Sequence, residues 1–177
     1  MNFNGTSYVT VANQAPYNIT GNITVAAWIK VSSFTIQWQS IVAKGDTAWR
    51  LIRNSTTNAL CFAGTALSND TVFGTRNVND GNWHHAVGVY DGANLSLYID
   101  GTLDASVAST GTITTNALNV YIGENAGATG RQFNGLIDDV RVYNTALSAS
   151  QISALYYQST TYTWVGTTTS WTTAANW

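Results

Sequence analysis

Short runs of alternating apolar and polar residues recur along the chain: SYVTV, ITVAAWIKV, SIVAK, WRLIR, ALCFAG, HHAVGVY, LSLYID, LNVYIG and LIDDVRVY. Successive side chains of a strand point to opposite faces, so a period of two marks strands with one face buried. Gly, Asn and Asp clusters separate the runs, and this spacing predicts an antiparallel sandwich or barrel. Within ITVAAWIKV, residues Ile23, Val25, Ala27, Ile29 and Val31 form an apolar face, with Thr24, Trp28 and Lys30 opposite. Asp100-Gly101, between LSLYI and a short following strand, predicts a tight hairpin. A helical pattern occurs at Ala149 to Tyr157, where Ile152 and Leu155 make an apolar stripe. Ser148 followed three residues later by Gln151 predicts a capping box at its start.

Two alternations raise chemical questions. In GLIDDVRVYN, strict alternation puts Leu136, Asp138, Val140 and Val142 on one face, so Asp138 is expected to be buried in an apolar row. A buried carboxylate needs a metal, a set of hydrogen bonds or a proton, because an unpaired one is costly. Asp138 is therefore expected to be tied to the N-terminal region by an ion or by backbone amides. In WHHAVGVY, Trp83, His85, Val87 and Val89 share a face, and His85 reads as a core histidine with its hydrogen bonds satisfied.

Composition narrows the partners. The 177 residues suffice for one domain, and only 9% are charged. With a net charge of −2 and no run of Lys or Arg, the chain lacks the electrostatic footprint of a nucleic-acid binder or of an anionic-membrane binder. Its apolar runs fall far short of the ~20 residues that span a bilayer, so no membrane insertion is expected. Cys61, the single cysteine, excludes an intrachain disulfide and a zinc cluster, and it reads as a small buried hydrophobe. The character changes after Tyr157: QSTTYTWVGTTTSWTTAANW is Thr-rich with three tryptophans. The expected division is a domain over 1–157, with 158–177 a linker or the truncated start of a following module. Met1 running straight into NFNGTSYVTV fits a module cut from a longer protein.

FNGTSYVTV, ITVAAWIKV, IVAKGD, DGNWHHAVGVYDGANLSLYIDG, LNVYIGE and GLIDDVRVYNTALSASQI follow one another in the order WHH, YDG, LYIDG, IG, G-IDDV-R-Y, LS. Over residues 3 to 157 this succession resembles the laminin G-like, concanavalin A-like lectin/glucanase modules of bacterial surface proteins. The resemblance implies an all-β jelly roll of two antiparallel sheets with one short C-terminal helix. It also implies a secreted or cell-surface location and, as function, a non-catalytic glycan-binding or adhesion module of a multidomain surface protein. The alternative is a structural spacer in a surface stalk. Expected partners are a glycan or cell-surface polysaccharide and the adjacent modules. The tail likewise resembles the TWxG…W…NW opening of repeat modules in such proteins. A structural calcium joining first and last strands is a further implication, with Asn4, Gly21 and Asp138 as its expected ligands.

Glycan hydrolases on this fold pair carboxylates about 5 Å apart, in a Glu-x-Asp-x-x-Glu pattern on one strand. Here Glu124 is the only glutamate, and Asp138 and Asp139 are strand neighbours that point apart, so an enzyme is not expected. Sugars stack their C–H faces on aromatic rings, and planar polar groups read their hydroxyls. The residues that offer this chemistry are Trp38, Asp46, Trp49, Arg50, Arg53, Asn125 and Arg131.

Overall fold

The computed structural model describes residues 1–158. The alternating runs form two six-stranded antiparallel sheets stacked as a jelly-roll sandwich. One sheet orders β1 (Asn2–Asn4), β12 (Asn134–Tyr143), β3 (Ile23–Val31), β8 (Trp83–Tyr90), β9 (Asn94–Ile99) and β10 (Thr102–Ala108). The other orders β2 (Val9–Val11), β11 (Val120–Ile122), β4 (Ser40–Ala43), β5 (Trp49–Arg53), β6 (Leu60–Gly64) and β7 (Thr71–Phe73). All five predicted core residues of β3 face the space between the sheets, where they meet Leu51, Phe62, Leu97 and Ile137. Gly88 lets the sheets close, since a Cβ there would stand 2.2 Å from the Phe62 ring. The Asp100-Gly101 turn has positive φ at both residues, 53° and 73°, as a type I′ hairpin requires.

The helix α1 (Ala149–Gln158) begins with the predicted capping box. Ser148 N donates to Gln151 Oε1 at 2.8 Å, and Gln151 N donates to Ser148 Oγ at 3.3 Å. Ile152, fully buried, packs on Ala26, Val87 and Val89, so the helix covers the outer face of the β3 sheet. On that face Trp28 stacks on Tyr156 at 5.5 Å and lies 5.2 Å from the His85 ring.

Strict alternation fails in β12, and Asp138 is exposed rather than buried. Asp138 pairs with Trp28 while Arg141 pairs with Ala26, so a bulge sets two residues, Asp139 and Val140, against the single Ala27. Asp139 takes up the extra length with φ of 45°, and its carboxylate accepts a hydrogen bond from Arg141 Nε at 2.8 Å. The bulge resets the facing, so Ile137 and then Val140 and Val142 point to the core.

The three expected calcium ligands do not converge. Asn4 pairs with Asn134, four positions from Asp138 along β12, or ~13 Å at strand rise. Gly21 lies before β3, seven positions from the Trp28 that Asp138 opposes, ~23 Å at the same rise. Asn4 Oδ1 is already engaged by Thr6 N, Thr6 Oγ1 and Ser7 N, at 3.1, 2.9 and 3.2 Å. These residues do not fit a shared ion. The segment after Gln158, expected to open another module, lies outside the described residues.

His85 is buried as expected, but its Nδ1 has no partner among the described residues. Burial pushes its pKa down to about 4, against the pull of Asp139 and Asp100. His84 is held from both sides, Nδ1 by Asp100 Oδ2 at 2.8 Å and Nε2 by Asp80 Oδ1 at 3.0 Å. Burial disfavours its imidazolium, yet the bonds to Asp100 and then Asp80 outweigh this and raise its pKa.

Candidate functional site

Alternation in β5 sends Trp49 and Leu51 into the core and Arg50 and Ile52 to the outer face of the second sheet. Strand register then builds two rows on that face. Ile52 lies opposite Cys61, which lies opposite Phe73; Arg50 lies opposite Ala63, which lies opposite Thr71. The small Cys61 and Ala63 in the middle of each row leave a cleft of about 140 Å³ between larger neighbours. Trp38 and the exposed Phe73 supply aromatic walls, while Asp46, Arg50 and Arg131 supply polar ones. Trp38 lies just before β4 with φ of 60°, and its N–H donates to Ser55 O at 3.2 Å.

Asp46 organises the polar wall. Its Oδ1 accepts from Asn125 Nδ2 at 2.7 Å and from Arg131 Nη1 at 2.9 Å, with Arg50 Nε at 3.6 Å. Arg50 Nη1 is oriented by Asp46 O at 2.9 Å and Thr65 Oγ1 at 3.1 Å. Fully buried Asn125 stands behind the wall, where its Oδ1 accepts from Gly127 N at 2.9 Å. Glu124 is buried too, and its carboxylate accepts from the N–H groups of Asn125, Gly130 and Arg131, which closes the 124–131 loop. Glycine at 127 permits this loop to lie against the turn after β4, since a Cβ there would sit 2.8 Å from Asp46 N.

The structure thus brings Trp38, Asp46, Arg50 and Arg131 to one cleft, with Asn125 one shell behind. Trp49 and Arg53 do not join them. Trp49 is fully buried in the core with Nε1 donating to Tyr17 O at 3.0 Å. Arg53, on the same side of β5, spends its guanidinium on the carbonyls of Thr57, Ile36 and Thr56, at 2.8, 2.6 and 2.6 Å, and lies over the Phe34 ring. Sequence reasoning missed Phe73 and the floor. The signal available for Phe73 was a large aromatic alternating with Val72 in a three-residue strand too short to bury both. Burial pushes the Cys61 thiol up to about 12, despite the opposing charge of Arg50.

Residues 3–153 match the family model described as the concanavalin A-like lectin/glucanases superfamily. No curated protein sequence matches the chain. Among solved structures, domain 4 of AbnA, a GH43 extracellular arabinanase from Geobacillus stearothermophilus, was determined in complex with arabinotriose. It is 22% identical, with a TM-score of 0.67 over 88% of this chain and 75% of that one. The CBM40 of the Ruminococcus gnavus IT-sialidase, bound to α2,3-sialyllactose, is 16% identical, with a TM-score of 0.69 over 88% of this chain and 94% of that one. A provisionally assigned carbohydrate-binding protein of Bacteroides ovatus ATCC 8483 is 22% identical, with a TM-score of 0.72. The match covers 86% of this chain but only 45% of that longer protein.

Proposed function

Because the chain belongs to the concanavalin A-like lectin/glucanases superfamily, we propose that it is a glycan-binding module whose ligand lies in the cleft between Trp38 and Phe73. The observation that carries this reading is the pairing of two aromatic walls with a hydrogen-bonding wall over a floor of small residues. A pyranose or furanose ring can lay a C–H face on an aromatic surface while Asp46, Arg50 and Arg131 meet its oxygens. The complexes of similar structures with arabinotriose and α2,3-sialyllactose support glycans as the ligand class.

The reading is of binding without cleavage. Among the described residues Asp46 is the only carboxylate lining the cleft, whereas glycosidic hydrolysis ordinarily uses two that flank the bond. Glu124 is enclosed by backbone amides and serves the loop. In this reading the module anchors a larger extracellular or surface protein to polysaccharide. The test is a glycan array probed with the unaltered protein and with Trp38→Ala. Selective binding that Trp38→Ala abolishes is expected. An array with no selective signal, or one untouched by Trp38→Ala, contradicts the reading and leaves the spacer role.

A further inference from the structure

Resting on that reading of the cleft, we infer that its ligand is an acidic glycan whose sugar carboxylate is received by Arg50 and Arg131. The chain is net negative, with only seven Lys and Arg residues, yet two of them line this one cleft. Lys44 and Arg53 are elsewhere enclosed by protein acceptors, Lys44 by Gln14, Asn116 and Leu118. Against the two guanidinium groups the cleft sets a single carboxylate among the described residues. The lining therefore carries an excess of one positive charge, and Asp70, beside Thr71, is exposed to water and outside the lining.

The donors are also left free in the right places. Asp46 Oδ1 takes Arg131 Nη1 and has Arg50 Nε nearby, and Arg50 Nη1 is held by Asp46 O and Thr65 Oγ1. Arg50 Nη2 and Arg131 Nη2 and Nε have no partner among the described residues. A guanidinium fixed on one edge by protein presents its other edge as a planar fork, the geometry that matches a carboxylate. Both side chains are mostly buried, 15% and 25% exposed, so water screens the pair less than it would on an open surface. Asp46 acts here as the positioning group that aims the two forks.

Paired probes with the same sugars and the carboxylate either free or masked test this by calorimetry: oligogalacturonate against its fully methyl-esterified form, and sialyllactose against its sialic acid methyl ester. At least one acidic member should bind more than tenfold tighter than its neutral partner, and added salt should weaken that binding. Arg131→Gln and Arg50→Gln should each cost the acidic ligand about tenfold or more, as loss of a charge-assisted bond does, and cost its neutral partner less. Asp46→Asn keeps an oxygen to orient Arg131 but removes the countercharge, so it should tighten acidic binding severalfold. Acidic binding left equal or weakened by Asp46→Asn would contradict the inference that Asp46 competes with the ligand carboxylate for these forks. The inference is overturned if neutral partners bind as tightly as acidic ones, or if no acidic probe binds while neutral array glycans do; the cleft reading survives both results. If no glycan binds at all, the inference and the proposed function fall together.

Discussion

Arg131 Nη1 donates to Asp46 Oδ1 at 2.9 Å, joining the loop after β11 to the turn after β4 across 85 positions of sequence. The bond turns two surface segments into one wall of the cleft, backed by Asn125 and by the Glu124 amide cluster. Each partner is held from a second side, so the wall is built before any ligand arrives. A preformed site spends less of its interaction energy on ordering its own side chains.

The two central tryptophans should behave oppositely. Trp38→Ala is expected to remove about 1–3 kcal/mol of glycan binding, by analogy with stacking of bases on aromatics, while the domain stays folded. Trp49→Ala is expected to cost about 3–5 kcal/mol of stability, because a fully buried indole leaves a cavity. Denaturant melts and calorimetry on the two variants separate these outcomes.

The histidines should titrate on opposite sides of their ordinary value. By NMR, His84 is expected above about 6.5 and His85 at about 4. The raised His84 contributes stability that is full below about 6.5 and lost as pH rises through its folded pKa. For His85 the sign reverses: the unfolded chain takes up the proton first, so stability falls between about 6.5 and 4 as pH drops. A difference of this size is worth up to ~3 kcal/mol. His85→Phe should flatten that part of the acid limb, and an unchanged pH profile would contradict the assignment.

Asp138 should prove dispensable to stability. Asp138→Ala is expected to shift unfolding by less than about 0.5 kcal/mol, as exposed positions do. Its neighbour Ile137→Ala should cost about 2–5 kcal/mol, because Ile137 is fully buried. A large loss in the aspartate variant would restore it to a structural role.

Gly88→Ala should destabilise by about 1–3 kcal/mol or more, since the new Cβ meets the Phe62 ring at 2.2 Å. Phe62→Leu in the same chain should recover part of this loss, and additive melting shifts in the double variant would show that the two positions do not oppose each other.

The Asp-Gly dipeptide made the Asp100-Gly101 hairpin legible, Ser148 with Gln151 the capping box, and period-two alternation the β3 core, because each is a local pattern with a local cause. Alternation failed at Asp138 because a bulge inserts one residue without any sequence mark beyond an aspartate that tolerates positive φ. The burial of Trp49 was legible too. Neighbours on a strand point apart, so Trp49 and Arg50 could not both face one ligand, and the apolar Leu51 places Trp49 inside with it. Arg50, Asp46 and Arg131 were recognisable as sugar-reading residues by type, but their meeting depends on the sheet order and on a loop held by Glu124. Phe73 and the small floor residues needed the β5, β6 and β7 register, which no local pattern contains.

The most direct measurement is a crystal structure with the tightest glycan from the array. The account predicts a sugar ring seated between Trp38 and Phe73, with oxygens within hydrogen-bond distance of Asp46, Arg50 or Arg131. A ligand ordered elsewhere, such as on the stacked Tyr8 and Tyr121 rings, with nothing in this cleft, would contradict it.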